Sequence, residues 1–212
     1  MNQSDPYKYD HFDVLINKFN IKHPYILATK ETEITAEKTM ELYMDSSIIN
    51  KTFNLEHIKA IHKHIFGDIY AWAGELRTVN TSKDSKDFMP FDYFDTAEER
   101  LNDVITRTLN SIDKYDKQAF AKAFPELLMD LNHMHPFREG NGRTSREFIR
   151  HCAEEKGFTI DYTEDTVELY RDGTINRDTQ TLEAFFDQSL NITTENDLSL
   201  NLDGLDELNI SK

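Results

Sequence analysis

The chain has 212 residues, 38% of them hydrophobic and including 14 Phe and 9 Tyr, enough for one sizeable domain with a real core. Its 24 basic and 39 acidic residues sum to a formal charge of −15, a surface that repels phosphate backbones and disfavours general nucleic-acid binding. A single cysteine, Cys152, excludes an internal disulfide framework, and no apolar run approaches the roughly 18 residues of a membrane span.

Met1 leads into polar residues with no signal-peptide core, so the expected location is the cytoplasm, with secretion into a host left open. Helical periodicity dominates from the start. Ile34 to Asp45 reads as a polar-faced helix. Asn54 is placed to cap a second helix, in which Ile58, Ile61 and Ile65 fall three and four apart on one face. After Gly74, Leu76, Thr78 and Asn80 alternate with Arg77, Val79 and Thr81. The turn chemistry of residues 83–87 then leads into Phe88 and Met89, which predicts a small β-hairpin or flap over about 76–91. A third helix starts near Thr96 and carries a wide apolar stripe through Leu101, Ile105 and Leu109. A fourth spans Lys117 to Met134, with Pro125 predicting a kink or a restart. A fifth begins near Arg143 and stops before Gly157, and Thr181 to Leu190 reads as a sixth. The fold class is therefore all-α with a small hairpin. One domain occupies 1–190 with its core at about 54–156, and an acidic tail follows over 191–212.

The segment from His135 to Arg146 stands apart. It gathers one histidine, one acid, three arginines and two of the chain's seven glycines between two predicted helices. A helix starting at its far end presents free N–H groups and a positive dipole end. Gly140 and Gly142 around Asn141 let consecutive amides turn inward as an anion nest. Arg143 and Arg146, three apart, share a face of the first turn and can address one anion. In so acidic a protein this cluster points to a polyphosphate ligand. Glu139 beside such a cradle is repelled unless a divalent cation bridges the two, which predicts Mg2+. His135 is the nearby group that is partly neutral at pH 7 and can accept a proton. The set reads as a phosphoryl- or nucleotidyl-transfer site.

The same segment matches at every specified position the pattern H-x-F-x-[DE]-G-N-G-R-x-x-R, and so resembles the Fic family (filamentation induced by cyclic AMP). Asp5-Pro6-Tyr7-x-Tyr9 and Asp68-Ile69-Tyr70-x-Trp72-Ala73-Gly74 resemble single-domain bacterial members, and the likeness covers roughly 5–190. The resemblance implies a Fic-like helical bundle with the hairpin as a flap over the active site. It implies transfer of AMP from ATP to a Tyr, Ser or Thr hydroxyl of a target protein, releasing pyrophosphate. On the residues here, His135 would be the base, Phe137 the anchor of the loop and Glu139 the magnesium ligand. Gly140, Asn141 and Gly142 would form the anion hole, with Arg143 and Arg146 on the outer phosphates. The flap, with Val79, Thr81, Lys83 and Phe88, would align the target by strand pairing. The alternatives are a transferase using another nucleotide or a CDP-linked donor, and a catalytically silent nucleotide-binding module.

Family members are also restrained by a helix of pattern [ST]-x-x-x-E-[GN] whose glutamate meets the last motif arginine, here Arg146. Thr29-x-x-x-Glu33-Ile34, Asn191-x-x-x-Glu195-Asn196 and Ser199-x-x-x-Asp203-Gly204 each miss this pattern by one position. The expectation is restraint by a separate small antitoxin. His57, His62 and His64 raise a zinc reading, against which stand the lack of H-E-x-x-H and the different helix faces of His62 and His64. Tyr70 and Trp72 read as packing residues, and Cys152 as buried and inert.

Overall fold

The computed structural model describes residues 5–83 and 86–193. Seven helices carry the described fold: α1 (Pro24–Met44), α2 (Leu55–Phe66), α3 (Phe94–Asn110), α4 (Lys117–Met134), α5 (Asn141–Glu155), α6 (Glu164–Asn176) and α7 (Thr179–Ser189). Two antiparallel pairs of short strands complete it. β1 (Ser82–Lys83) pairs with β2 (Lys86–Asp87), with Ser82 opposite Asp87. β3 (Phe158–Ile160) pairs with β4 (Leu190–Ile192), with Thr159 opposite Asn191.

The centre is α5. Phe148, Ile149, Cys152 and Ala153 on it are fully or almost fully buried, which leaves the Cys152 thiol protonated and inaccessible. Against this helix packs α2, whose Ile58, Ile61 and Ile65 form the predicted stripe and whose Asn54 side chain accepts the His57 amide at 3.1 Å as an N-cap. On the other side stands α4, which brings Phe120, Phe124, Leu127, Leu128 and Leu131 into the core. Each such aliphatic or aromatic side chain contributes on the order of 2 kcal/mol by leaving water. That packing lets α4 run unbroken through Pro125, which removes one internal hydrogen bond. No kink needs a restart here, because Phe120 and Phe124 on one side of the proline and Leu127 and Leu128 on the other face the same core.

Four expectations need correction. The first helix begins at Pro24, ten residues before the periodic stretch from Ile34, because proline starts a helix without losing a needed donor. The apolar pattern misled there: Tyr25 and Ile26 are exposed. The flap is strand only over β1 and β2, whereas 76–81 is irregular. Its alternation places Arg77 inward, where hydrogen bonds to loop carbonyls replace a ladder. A helix was also missed. Weakly helical residues in α6 are started by a Thr163/Thr166 capping box, and Gly173 lets α7 approach so closely that a Cβ there would lie 2.7 Å from Leu182. Residues 191 and 192, assigned to the tail, still pair with β3, and Thr193 donates to the Gly157 carbonyl at 2.9 Å. The near-miss residues Glu195, Ser199 and Asp203 lie outside the described residues.

Candidate active site

His135 follows directly on α4 in a left-handed conformation, φ 47° and ψ 61°, which ends the helix and turns the chain into the loop. Phe137 then plunges into the core and stacks on His62, ring centroids 3.8 Å apart. The Asn141 side chain clips the loop from the other end. It accepts the Phe137 amide at 2.9 Å and donates to the Phe137 carbonyl at 2.8 Å. Its amide group is therefore spent on loop shape, and what Asn141 can offer an anion is its backbone N–H. Gly140 is required by its backbone: φ is +83°, and a Cβ would sit 2.4 Å from the Phe66 ring. Gly142 differs. It is helical, and a Cβ there would meet only Arg146 at 3.8 Å, so its missing side chain leaves open space at the helix start. Gly140 supplies no capping side chain, and α5 presents its first amides uncapped.

Over this N-terminus stand the two arginines. The Arg143 guanidinium lies 4.6 Å from the Phe66 ring and donates to Glu31 of α1 at 2.6 Å and to Thr35 at 3.2 Å. Arg146 has the Tyr170 ring at 5.8 Å and, among the described residues, no carboxylate partner. Glu33, the glutamate of the near-miss pattern on α1, pairs instead with Lys30 on the surface at 3.2 Å. Glu139 is half exposed. Its carboxylate accepts the Gly140 amide at 2.9 Å and lies 3.5 Å from Arg143. Among the described residues no three His, Cys, Asp or Glu side chains gather around a point, so a cation held by Glu139 would draw its other ligands from phosphate and water.

Burial pushes the His135 imidazole down to about 4, helped by the Arg77 charge, so it is neutral at pH 7. The Asn132 carbonyl favours protonation weakly, from outside hydrogen-bonding geometry, and Nδ1 is buried with no partner. The flap contributes to that burial: the Phe88 ring stacks on the imidazole, centroids 3.6 Å apart and planes 9° from parallel. Phe88 donates its amide to the Thr81 carbonyl, which closes the hairpin beyond β1 and β2. Val79 is half-buried at the stem, whereas Lys83 is exposed near the tip. The predicted loop residues and Phe88 thus converge. Val79 is joined to the loop through Arg77, and the Lys83 charge adds to the lowering of the His135 pKa.

Arg77 and His62 are what the sequence reading missed. Arg77 is almost fully buried and donates to the carbonyls of Val79 and Met89 in the flap stems and of Met134 and His135 where α4 meets the loop. Burial lowers its pKa to about 10, which still leaves it charged at neutral pH. His62 Nδ1 accepts the Gly74 amide at 2.8 Å, so its proton sits on Nε2 and is donated to the Glu139 carbonyl at 3.0 Å. Burial lowers its pKa to about 4, and only the neutral ring can make both bonds. The signal was a polar residue on an apolar stripe: His62 shares the buried face of α2 with Ile58 and Ile65.

A family model described as Fic/DOC matches residues 52–153. A probable protein adenylyltransferase, y4lH of Sinorhizobium fredii, is 31% identical over 157 residues, which cover 74% of this chain and 79% of that protein. The chain belongs to the Fic/DOC family. It is also similar to the protein adenylyltransferase VbhT of Bartonella schoenbuchensis, at 36% identity over 75% of this chain, but spans only about a third (33%) of that protein's length. Among solved structures, BepC of Bartonella tribocorum, crystallised with AMPPNP, superposes with a TM-score of 0.76 at 20% identity. That match covers 92% of this chain and 100% of that one, and it establishes the all-α Fic fold. No helix among the described residues of this Fic protein is long and apolar enough to cross a membrane.

Proposed function

We propose that this Fic protein is a protein adenylyltransferase, moving AMP from ATP to a hydroxyl side chain of a target protein. The observation that carries this is the juxtaposition at the start of α5. Uncapped helix amides and two cations stand in the first turns of α5, and a neutral, buried histidine ends the preceding helix. The target's hydroxyl oxygen attacks the α-phosphorus, the bond to the bridging oxygen breaks, and pyrophosphate leaves with the electron pair. His135 takes the hydroxyl proton. Its low pKa ensures a neutral imidazole, and the negative charge of a bound triphosphate raises its basicity toward the useful range. The relatives named adenylyltransferases support the donor as ATP.

Arg143, Arg146 and the backbone N–H groups of Asn141 and Gly142 would hold the phosphates, so that positioning and charge neutralisation supply most of the rate. Glu139 fits a magnesium ligand: an exposed carboxylate beside that cradle, with one oxygen tied to its own loop. A bound Mg2+ would supply neutralisation of the phosphate charge. The exposed backbone of β1 and β2 would receive an extended target segment, with Lys83 near its edge. Restraint is assigned to a separate small antitoxin, since Glu33 is committed to Lys30 and Arg146 is unpaired among the described residues.

Incubation of the chain with a bacterial lysate and ATP labelled at the α- or the γ-phosphate tests the reading. Protein bands labelled from α but not from γ are expected. Labelling from γ, or none with either, overturns it.

A further inference from the structure

Arg143 is held by a socket that begins far outside the motif. Glu31 lies on α1, before the region that the Fic/DOC model matches. Its side chain is 14% exposed, and its two oxygens are divided. One accepts Arg143 Nη2 at 2.6 Å, and the other accepts the Tyr70 hydroxyl. Thr35, one turn further along α1 on the same face, is buried and accepts Arg143 Nη1 at 3.2 Å. The Phe66 ring forms the floor, and Glu139 closes the remaining side at 3.5 Å. Arg146, one turn on, has no such enclosure among the described residues.

A carboxylate beside an anion site repels the ligand unless donors consume its charge. Both oxygens of Glu31 are occupied in this way. Burial, then the Glu31 carboxylate, push the Tyr70 phenol well above its ordinary pKa, so it stays a donor. Tyr70 is itself fixed by stacking on Trp72, centroids 4.5 Å apart. The arginine fork is therefore oriented by folding and need not be ordered when a ligand arrives.

We propose that Glu31, with Thr35 and Tyr70, is a positioning residue that holds the Arg143 guanidinium in the orientation that receives the nucleotide's phosphates, making α1 part of the nucleotide-binding machinery. This rests on the adenylyl-transfer reading of the site, in which Arg143 is a phosphate ligand. A freely turning Arg143 binds ATP less well in ground and transition states alike, so the loss falls on KM and not on kcat.

The test is a double-mutant cycle on the full chain, with initial rates of α-labelled transfer and calorimetric ATP affinity as readouts. Glu31→Gln should raise KM for ATP about tenfold with kcat within twofold, and should do nothing further in an Arg143→Met background. Tyr70→Phe removes only the hydroxyl and should raise KM about threefold, which keeps the proposal testable if Glu31→Gln folds poorly. An unchanged or lowered KM in Glu31→Gln overturns the proposal, a lowered one marking Glu31 as a competitor for Arg143. Additive losses in the double variant also overturn it, because they show a structural role independent of Arg143. If wild type binds ATP but Arg143→Met binds it equally well, the phosphate role of Arg143 fails, and Glu31 falls with it. A wild type that transfers no α-label refutes the parent reading instead.

Discussion

The two ends of α5 carry the same kinds of side chain in opposite circumstances. In its first turns, Arg143 and Arg146 stand over uncapped amides, one oriented from α1 and the other against a single ring. Towards its C-terminal end, Arg150 is closed in. It pairs with Glu147 and Glu154 and donates to the Leu42 carbonyl at 2.8 Å, while Lys51 adds a contact to Glu154 at 2.8 Å. Burial pushes the Glu147 carboxyl up, but the nearby His151 ring and the hydrogen bonds from Arg150 outweigh it and leave it below the ordinary range. His151 stands 3.2 Å from Glu147 and meets His57 Nε2 at 2.8 Å. The closed end has satisfied its charges within the protein; at the open end Arg143 is oriented from α1, and Arg146 has no carboxylate partner among the described residues. An arginine's residue type says nothing about which of these it does, and its partners say everything.

The sharpest break of this comparison is His135→Ala. Loss of the base should cut α-label transfer by about 10²–10⁴-fold while ATP affinity measured by calorimetry holds. Retained turnover refutes the role. Next come the two arginines. Arg150→Met leaves Glu147 buried without its main partner and should cost roughly 3–5 kcal/mol, a drop in Tm on the order of 10 °C. Arg146→Met should leave Tm nearly unchanged and weaken ATP binding instead. Equal effects on stability would erase the distinction between the ends. The glycines divide in the same way: Gly140→Ala should cost roughly 1–3 kcal/mol from its positive φ and the Phe66 clash, seen as a lower Tm. Gly142→Ala should hold or gain stability, by up to about 1 kcal/mol, and lose transfer.

The most gradual effect is the acid limb. His57, His62 and His135 have pKa values lowered by burial to about 3, 4 and 4. Between those values and the ordinary 6.5, the unfolded chain binds more protons than the folded one. Stability therefore rises with pH across that window and is lost as pH falls from about 6.5 towards 4. Urea midpoints at pH 7.5, 6 and 5 should decline in that order. His62→Gln should flatten part of the slope, because glutamine can also accept and donate at that position without titrating. A midpoint independent of pH would show that these rings are not held neutral.

The motif was legible because its residues are contiguous: His135 to Arg146 read as a phosphate cradle, and point to the Fic family, before any fold is known. Its support was not, because the partners are remote in sequence. Glu31 and Arg143 are 112 residues apart, His62 and Glu139 are 77, and Arg77 and His135 are 58. The helix positions that followed apolar period, as in α2 and α4, were readable. Those made by a capping box and one close glycine, as in α6, were not, since Gly173 reads as a helix breaker until Leu182 is seen against it. Strand alternation over 76–81 misled for a related reason. Period two describes any chain that sends every second side chain inward, including a loop whose inward residue is an arginine.

That arginine has a consequence for how such a protein diversifies. Arg77 fastens the carbonyls of Val79 and Met89, the two ends of the flap, to the same guanidinium that fastens the backbone of His135. The span between those ends is thus an insert in a fixed frame, its entry and exit set by one buried cation and not by its own sequence. A flap of different composition would fit between Val79 and Phe88 without moving the His135 backbone, provided the ring at position 88 stays over the imidazole. Under the adenylyl-transfer reading, recognition would drift there while the chemistry stays where it is.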